Sequence, residues 1–311
     1  MNRRNSLRAA GTAGALILAG RREGLGAAPE KTLWPLRSSE AFELESKAVG
    51  DTFAVGVWKP DPAFLGARGR PANEPLSLVY VLDGSWALNV AAVICNLQLV
   101  DLVRPGFPPL LLVGVDYPEG RPNARSRDYT MADSVPESMR APMSASAATT
   151  PGGAERFLRF MEEELDPLIR SRYQVKSGPA GILGDSFGGT FTFYAFLKQS
   201  PLFDRYWLGS PGLFTTGTDY IAQVERVVAG RLARDTRMFL SFGELEASGG
   251  VALYEDMGRN YRRLVEALDR SGNGQLTHRA RTYPGHTHTT VLAPAMNDAL
   301  LYLYGPHFPG A

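Results

Sequence analysis

The sequence predicts an α/β fold: a mostly parallel central sheet, helices on both of its faces, and an antiparallel hairpin at the N-terminal side. Three observations carry this reading. From residue 76 onward, short apolar runs alternate with longer segments of helical period, the pattern of successive βαβ units. Ahead of them, two alternating apolar runs flank Gly50-Asp51, as in a hairpin. The chain has 311 residues, 44% hydrophobic and 21% charged, enough for one large α/β domain with its own core.

The elements follow in order. Arg3-Arg4, an apolar stretch over 9–19 and the small residues Gly26-Ala27-Ala28 describe an export signal of the twin-arginine kind over 1–28. The single domain then spans 29–311, in the periplasm or outside the cell. No cysteine directly follows the apolar stretch, which argues against a lipoprotein anchor, and the stretch is too short to span a bilayer well, so no stable membrane anchor is expected. The hairpin uses Phe42 and Leu44 in one strand and Phe53, Val55 and Val57 in the other; a Pro/Gly/Arg-rich loop covers 60–75. A buried strand over 76–82 ends at Asp83-Gly84, a helix covers 87–103 until Pro105-Gly106 stops it, and a strand covers 110–115. Residues 154–172 form a helix bent before Pro167, because proline cannot donate to the helical ladder. Further strands cover 180–183, 206–209, 238–242 and 277–283, and helices cover 190–198, 221–232, 254–268 and 291–304. Only 118–151 breaks the rhythm. An aperiodic segment this long, directly after a strand's C-terminal end, is expected to be a lid-like insertion over the ligand-binding face.

Composition excludes several functions. The net charge is +1 and no Lys/Arg block occurs in the body of the chain, which argues against a nucleic-acid partner. The one cysteine, Cys95, lies in an apolar run and reads as core; no disulfide or cysteine metal cluster is possible within the chain.

The chemistry centres on Gly184-Asp185-Ser186-Phe187-Gly188. A strand runs into this G-x-S-x-G pattern and a helix runs out of it, the setting of a nucleophile elbow in the α/β-hydrolase fold. Ser186 needs a base to take its proton, and the order in this fold is nucleophile, acid, histidine. His278 falls inside a strand and reads as structural. His286 and His288 both lie in the turn after that strand, and spacing does not separate them. A metal site at His286-Thr287-His288 would lack further Cys or His ligands, so neither metal nor cofactor is expected. Glu244 and Glu246, just past the strand over 238–242, are the candidate acids that hold the imidazole tautomer. The backbone N–H of Phe187 is one oxyanion donor; the second comes from the loop Asp83-Gly84-Ser85-Trp86, through Gly84 or Ser85, with Trp86 placed to touch substrate.

These residues lie in blocks that resemble the esterase D-like (putative esterase) family, which includes siderophore, feruloyl and S-formylglutathione esterases and mycolyltransferases. The blocks are Val79-Tyr80-Val81-Leu82-Asp83-Gly84, Ile182 to Gly189, Leu202-Phe203-Asp204-Arg205-Tyr206 and Gly209-Ser210-Pro211, with Asp185 where many members have histidine. Arg127-Asp128-Tyr129-Thr130 and Gly243-Glu244-Leu245-Glu246 are most similar to the siderophore-esterase branch, although Met131 replaces its usual proline. The resemblance implies hydrolysis of a small-molecule carboxylic ester through an acyl-Ser186. It also implies His288 over His286 and Glu246 over Glu244. Arg127, if it lies on the lid, is placed to bind an anionic or catecholate substrate, with pairing to Asp128 or another carboxylate as the other reading. An acyltransferase using the same acyl-enzyme is the alternative. A non-catalytic binding protein on this scaffold is a second, which the intact Ser, His and Glu argue against.

Overall fold

The computed structural model describes residues 36–67, 69–71, 73–103, 107–140 and 150–305. The expected export signal over 1–28 and the helix stop at Pro105-Gly106 lie outside the described residues.

Eight strands form one sheet in the order β1-β2-β4-β3-β5-β6-β7-β8. Ser39–Ser46 (β1) and Asp51–Trp58 (β2) make the hairpin, with Gly50 at φ 77° closing its turn. β2 lies antiparallel to Leu110–Asp116 (β4). From there on the sheet is parallel: Ser77–Leu82 (β3), Ala180–Asp185 (β5), Phe203–Gly209 (β6), Thr236–Gly243 (β7) and Leu276–Tyr283 (β8). The expected loop over 60–75 contains a short helix, Pro62–Ala67 (α1).

The inner strands are buried along their length because both faces are covered, as unbroken apolar runs require. Alternate residues go to opposite faces. Leu78, Tyr80 and Leu82 pack under Ala154–Phe160 and its continuation (α4), Phe187–Leu197 (α5), Tyr220–Ala229 (α6) and Ala252–Ser271 (α8); Val79 and Val81 pack under Gly84–Val100 (α2) and Leu292–Tyr304 (α9). Cys95 sits in this second layer, where burial pushes its thiol up, as expected of a core residue. The remaining helices are short: Arg125–Asp128 (α3) and Glu244–Ser248 (α7).

Two details refine the sequence reading. α4 runs through a π-helical turn, Met161–Leu165, directly into Asp166–Arg172. The widened turn lies just before Pro167, which has no N–H to give the ladder. The segment over 118–151 is also more ordered in its described part than its sequence indicates. Asp128, Tyr129 and Thr130 are fully buried, and Tyr129 packs against Phe157 of α4 and Phe191 of α5 at centroid distances of 5.3 and 6.1 Å. Residues 124–131 are therefore part of the core wall beside the C-terminal ends of the strands.

Candidate active site

The parallel strands β3, β5, β6, β7 and β8 deliver their C-terminal ends to one edge, where open α/β sheets place their ligands. Ser186 follows β5 with φ 59° and ψ −121°, a strained conformation for a residue other than glycine. Its N–H donates to Gly209 C=O (2.9 Å), and helix α5 begins at the next residue. Two glycines make this turn possible. A Cβ at Gly184 would collide with the Gly188 carbonyl, and one at Gly189 would lie 2.6 Å from Gly209 O. Gly188, the second glycine of the G-x-S-x-G pattern, is less tightly enclosed: the nearest neighbour of a Cβ there would be Asp83 Oδ2 at 3.3 Å, a close contact but not a collision.

Glu246 lies in the first turn of α7, and its carboxylate is buried and fully engaged. Oε1 accepts the Gly243 N–H (2.7 Å) and the Ser210 hydroxyl (2.6 Å); Oε2 meets His288 Nδ1 at 2.6 Å. Ser210, completely buried and at φ 32°, has no site role in the sequence reading, where it belongs only to the block Gly209-Ser210-Pro211. An ionised carboxylate only accepts, so Nδ1 carries a proton and Nε2 is left as the basic nitrogen. The His288 ring also stacks on Tyr254, with centroids 4.7 Å apart and planes at 23°. Burial pulls the His288 pKa down. The bond to Glu246 and the charges of Asp185 and Glu246 outweigh it and leave the value raised.

The alternatives are drawn elsewhere. His286 Nδ1 donates to Thr290 C=O (3.0 Å) within its own loop, and exposed Glu244 accepts the Gly285 N–H (2.8 Å). His278 pairs with Asp269 at 2.8 Å, a structural contact.

On the oxyanion side, Phe187 is the first residue of α5, where a backbone N–H has no intrahelical acceptor. Across from it, Asp83 adopts the left-handed conformation (φ 55°, ψ 48°) and opens α2. Ser85 does not fit the expected donor role, because its N–H donates to Asp116 Oδ2 (2.8 Å). The Trp86 N–H goes to Asp83 C=O (3.3 Å), which leaves Gly84 as the candidate second donor. Gly84 is pressed against the Gly114–Val115 backbone, where a Cβ would come within 2.8 Å. The Trp86 side chain is 43% exposed on this rim.

Of the two readings of Arg127, the ion pair is the one present: it bonds Asp128 (2.7 Å) and Asp51 of the hairpin (3.0 Å). Arg125 takes the position beside the elbow: it forks onto Asp83 (2.8 and 2.9 Å) and its guanidinium lies 5.5 Å from the Phe187 ring centroid. Two residues along a helical turn rotate the side chain by about 200°, so one arginine faces the hairpin and the other the site.

This arrangement suits acyl transfer: a serine on a strained elbow, orphan amides around it, and an imidazole oriented by a buried carboxylate at the same sheet edge. Fold and site together define an α/β hydrolase that cleaves carboxylic esters. The chain belongs to the Putative esterase family, whose pattern it matches over residues 46–301. It is 26% identical over 277 residues to the ferri-bacillibactin esterase BesA of Bacillus subtilis (strain 168), covering 87% of this chain and 91% of that one. It is 30% identical over 187 residues to the apo-salmochelin esterase of Escherichia coli O6:H1, covering 58% and 53% of the two chains. Among solved structures, the BES protein from Bacillus cereus superposes with a TM-score of 0.74 at 23% identity, over 88% of this chain and 99% of that one. No described helix is long and apolar enough to cross a membrane.

Proposed function

We propose that this chain is an exported serine esterase that opens siderophore esters, or related polyester and aryl esters, through an acyl-Ser186 intermediate. The observation that carries the mechanism is the buried Glu246 carboxylate at 2.6 Å from His288 Nδ1, on the sheet edge that also presents Ser186. As Ser186 Oγ bonds to the ester carbon, its proton passes to His288 Nε2 and the carbonyl pair moves onto oxygen, facing the amides of Phe187 and Gly84. The imidazolium then gives its proton to the leaving alkoxide as the tetrahedral carbon expels it, and water repeats the sequence on the acyl-enzyme. The substrate class rests on the two relatives named for siderophore esters. The Arg125 guanidinium, side chain 28% exposed and stacked on Phe187, supplies a positive charge that suits an anionic ferric complex. Export rests on the composition of residues 1–28.

The test uses the protein from about residue 29. It should label with a fluorophosphonate, cleave nitrophenyl esters, and favour a ferric tri-ester siderophore over a feruloyl sugar. Ser186→Ala should abolish labelling and turnover together; turnover that survives this substitution would sink the proposal.

A further inference from the structure

Asp185, immediately before the candidate nucleophile, has no part in the mechanism above. It ends β5 and is buried. Its carboxyl is directed at the neighbouring strand: a Cβ on Gly209 would lie 2.6 Å from Asp185 Oδ1 and 2.7 Å from the Trp207 ring. Glycine at 209 is what makes room for it. The indole offers no donor there, because Trp207 Nε1 donates to Ser241 Oγ (3.0 Å). Among the described residues, Oδ1 has no hydrogen-bond partner at all.

Gly209, against which this carboxyl lies, is followed by Ser210, which donates to Glu246, the partner of His288. The charges that act on Asp185 come from four elements: Asp83 after β3, Arg125 of α3, Glu246 of α7 and His288 after β8. Arg125 is already held by Asp83 and His288 by Glu246. Asp185 is thus a third carboxyl in a site whose two cations are each paired with another one. A buried polar atom left without a partner costs stability and calls for a return elsewhere. Here the return lies at His288, whose positive form Asp185 stabilises by charge alone.

We propose that Asp185 is a positioning residue that sets the basicity of His288 through space, supporting the imidazolium when ionised and withdrawing that support when protonated. The proposal rests on the reading of Ser186 and His288 as nucleophile and base. Burial pushes the Asp185 carboxyl up to about 7; Glu246 and Asp83 act in the same direction, and His288 and Arg125 against it.

The sign follows from Coulomb's law. A negative Asp185 raises the His288 pKa, so a neutral side chain of the same shape lowers it. In Asp185→Asn, the acid limb of kcat/KM for an uncharged aryl ester should move to lower pH by about half a unit to one unit. The ring signals of labelled His288, assigned with His288→Gln, should move by the same amount in an NMR titration. In the unaltered protein that titration should be broader than a one-site curve, because the two groups lose their protons together. A merely structural Asp185 would change the rate and leave both midpoints in place, and that result overturns the proposal. A sharp one-site His288 curve in the unaltered protein overturns it too, whether or not Asp185→Asn folds. If Ser186 fails to label with fluorophosphonate, the catalytic reading has failed instead, and the NMR titration still decides whether Asp185 acts on His288.

Discussion

Replacing Glu246 with glutamine exchanges one oxygen for nitrogen at nearly constant volume, yet the contacts around it dictate a large loss. The Oε1 position faces the Gly243 N–H at 2.7 Å, a donor fixed by the backbone. Only the amide oxygen of glutamine can occupy that position, since an NH₂ there would set donor against donor. The nitrogen is then forced to the Oε2 position, 2.6 Å from His288 Nδ1. Nδ1 must become an acceptor, and the ring proton moves to Nε2, where it blocks the nitrogen that has to take the Ser186 proton. The same tautomer error at a triad aspartate costs about 10⁴-fold in kcat, or about 5 kcal/mol of barrier at 1.36 kcal/mol per tenfold. Loss of the charge-assisted bond should cost a further ~2 kcal/mol of stability. Glu244→Gln is the matched control. Its Oε2 only accepts the exposed Gly285 N–H, a role the glutamine oxygen can fill, so its stability should change by less than ~0.5 kcal/mol. Both variants would be assayed on a nitrophenyl ester above the acid limb, with active sites counted by fluorophosphonate and stability read by urea unfolding. Retention of more than about a tenth of kcat/KM by Glu246→Gln would refute the tautomer argument. So would an equal loss in Glu244→Gln.

Gly184→Ala should destabilise the fold by about 3 kcal/mol, because its Cβ would meet the Gly188 carbonyl and lie 2.6 Å from Thr192 Oγ1, both fixed in α5. Gly188→Ala, with 3.3 Å to its nearest neighbour, should stay within about 1 kcal/mol; equal urea midpoints for the two variants would contradict this division. Arg127→Ala should lose about 3 kcal/mol, because the fully buried Asp128 then keeps only the Tyr117 hydroxyl (2.9 Å) as a partner among the described residues, with KM unchanged. Arg125→Lys, which keeps the charge and loses the fork onto Asp83, should raise KM for a ferric tri-catecholate ester and not for a neutral one. A KM effect confined to Arg127→Ala would reverse the roles given to the two arginines.

Which parts of this molecule are legible in its sequence depends on how far the determining contact reaches along the chain. The sheet was legible because period and burial are local: β3 and β4 read as unbroken apolar runs, and covered faces are what such runs need. The elbow was legible for the same reason, since strand, glycine turn and helix are consecutive. His286 and His288 could not be told apart by spacing, because both occupy one turn. What separates them is a carboxylate 42 residues upstream of His288 and a carbonyl four residues beyond His286. Arg125 and Arg127 belong to one short helical turn, and which of them faces the site follows from α3 lying between the hairpin and the elbow. Ser85 was a fair expectation for the oxyanion donor until Asp116, 31 residues away on β4, took its N–H.

The features that sequence left open are therefore polar contacts between strand ends, and these are also where the backbone is strained. Asp83, Ser186 and Ser210 are three of the five described residues other than glycine with positive φ, and they follow β3, β5 and β6. Each turns its chain sharply at the sheet edge so that a side chain or amide points at a partner from another element: Asp83 at Arg125 of α3, Ser210 at Glu246 of α7. Strain of this kind, of order 1–3 kcal/mol per residue, persists only where surrounding contacts over-determine it. At this edge those contacts are the same hydrogen bonds that orient His288 and open the elbow. Relaxing the strain at Ser210 with glycine would relieve the backbone and remove the hydroxyl from Glu246 at once, so no substitution there can gain stability without loosening the carboxylate that orients the base.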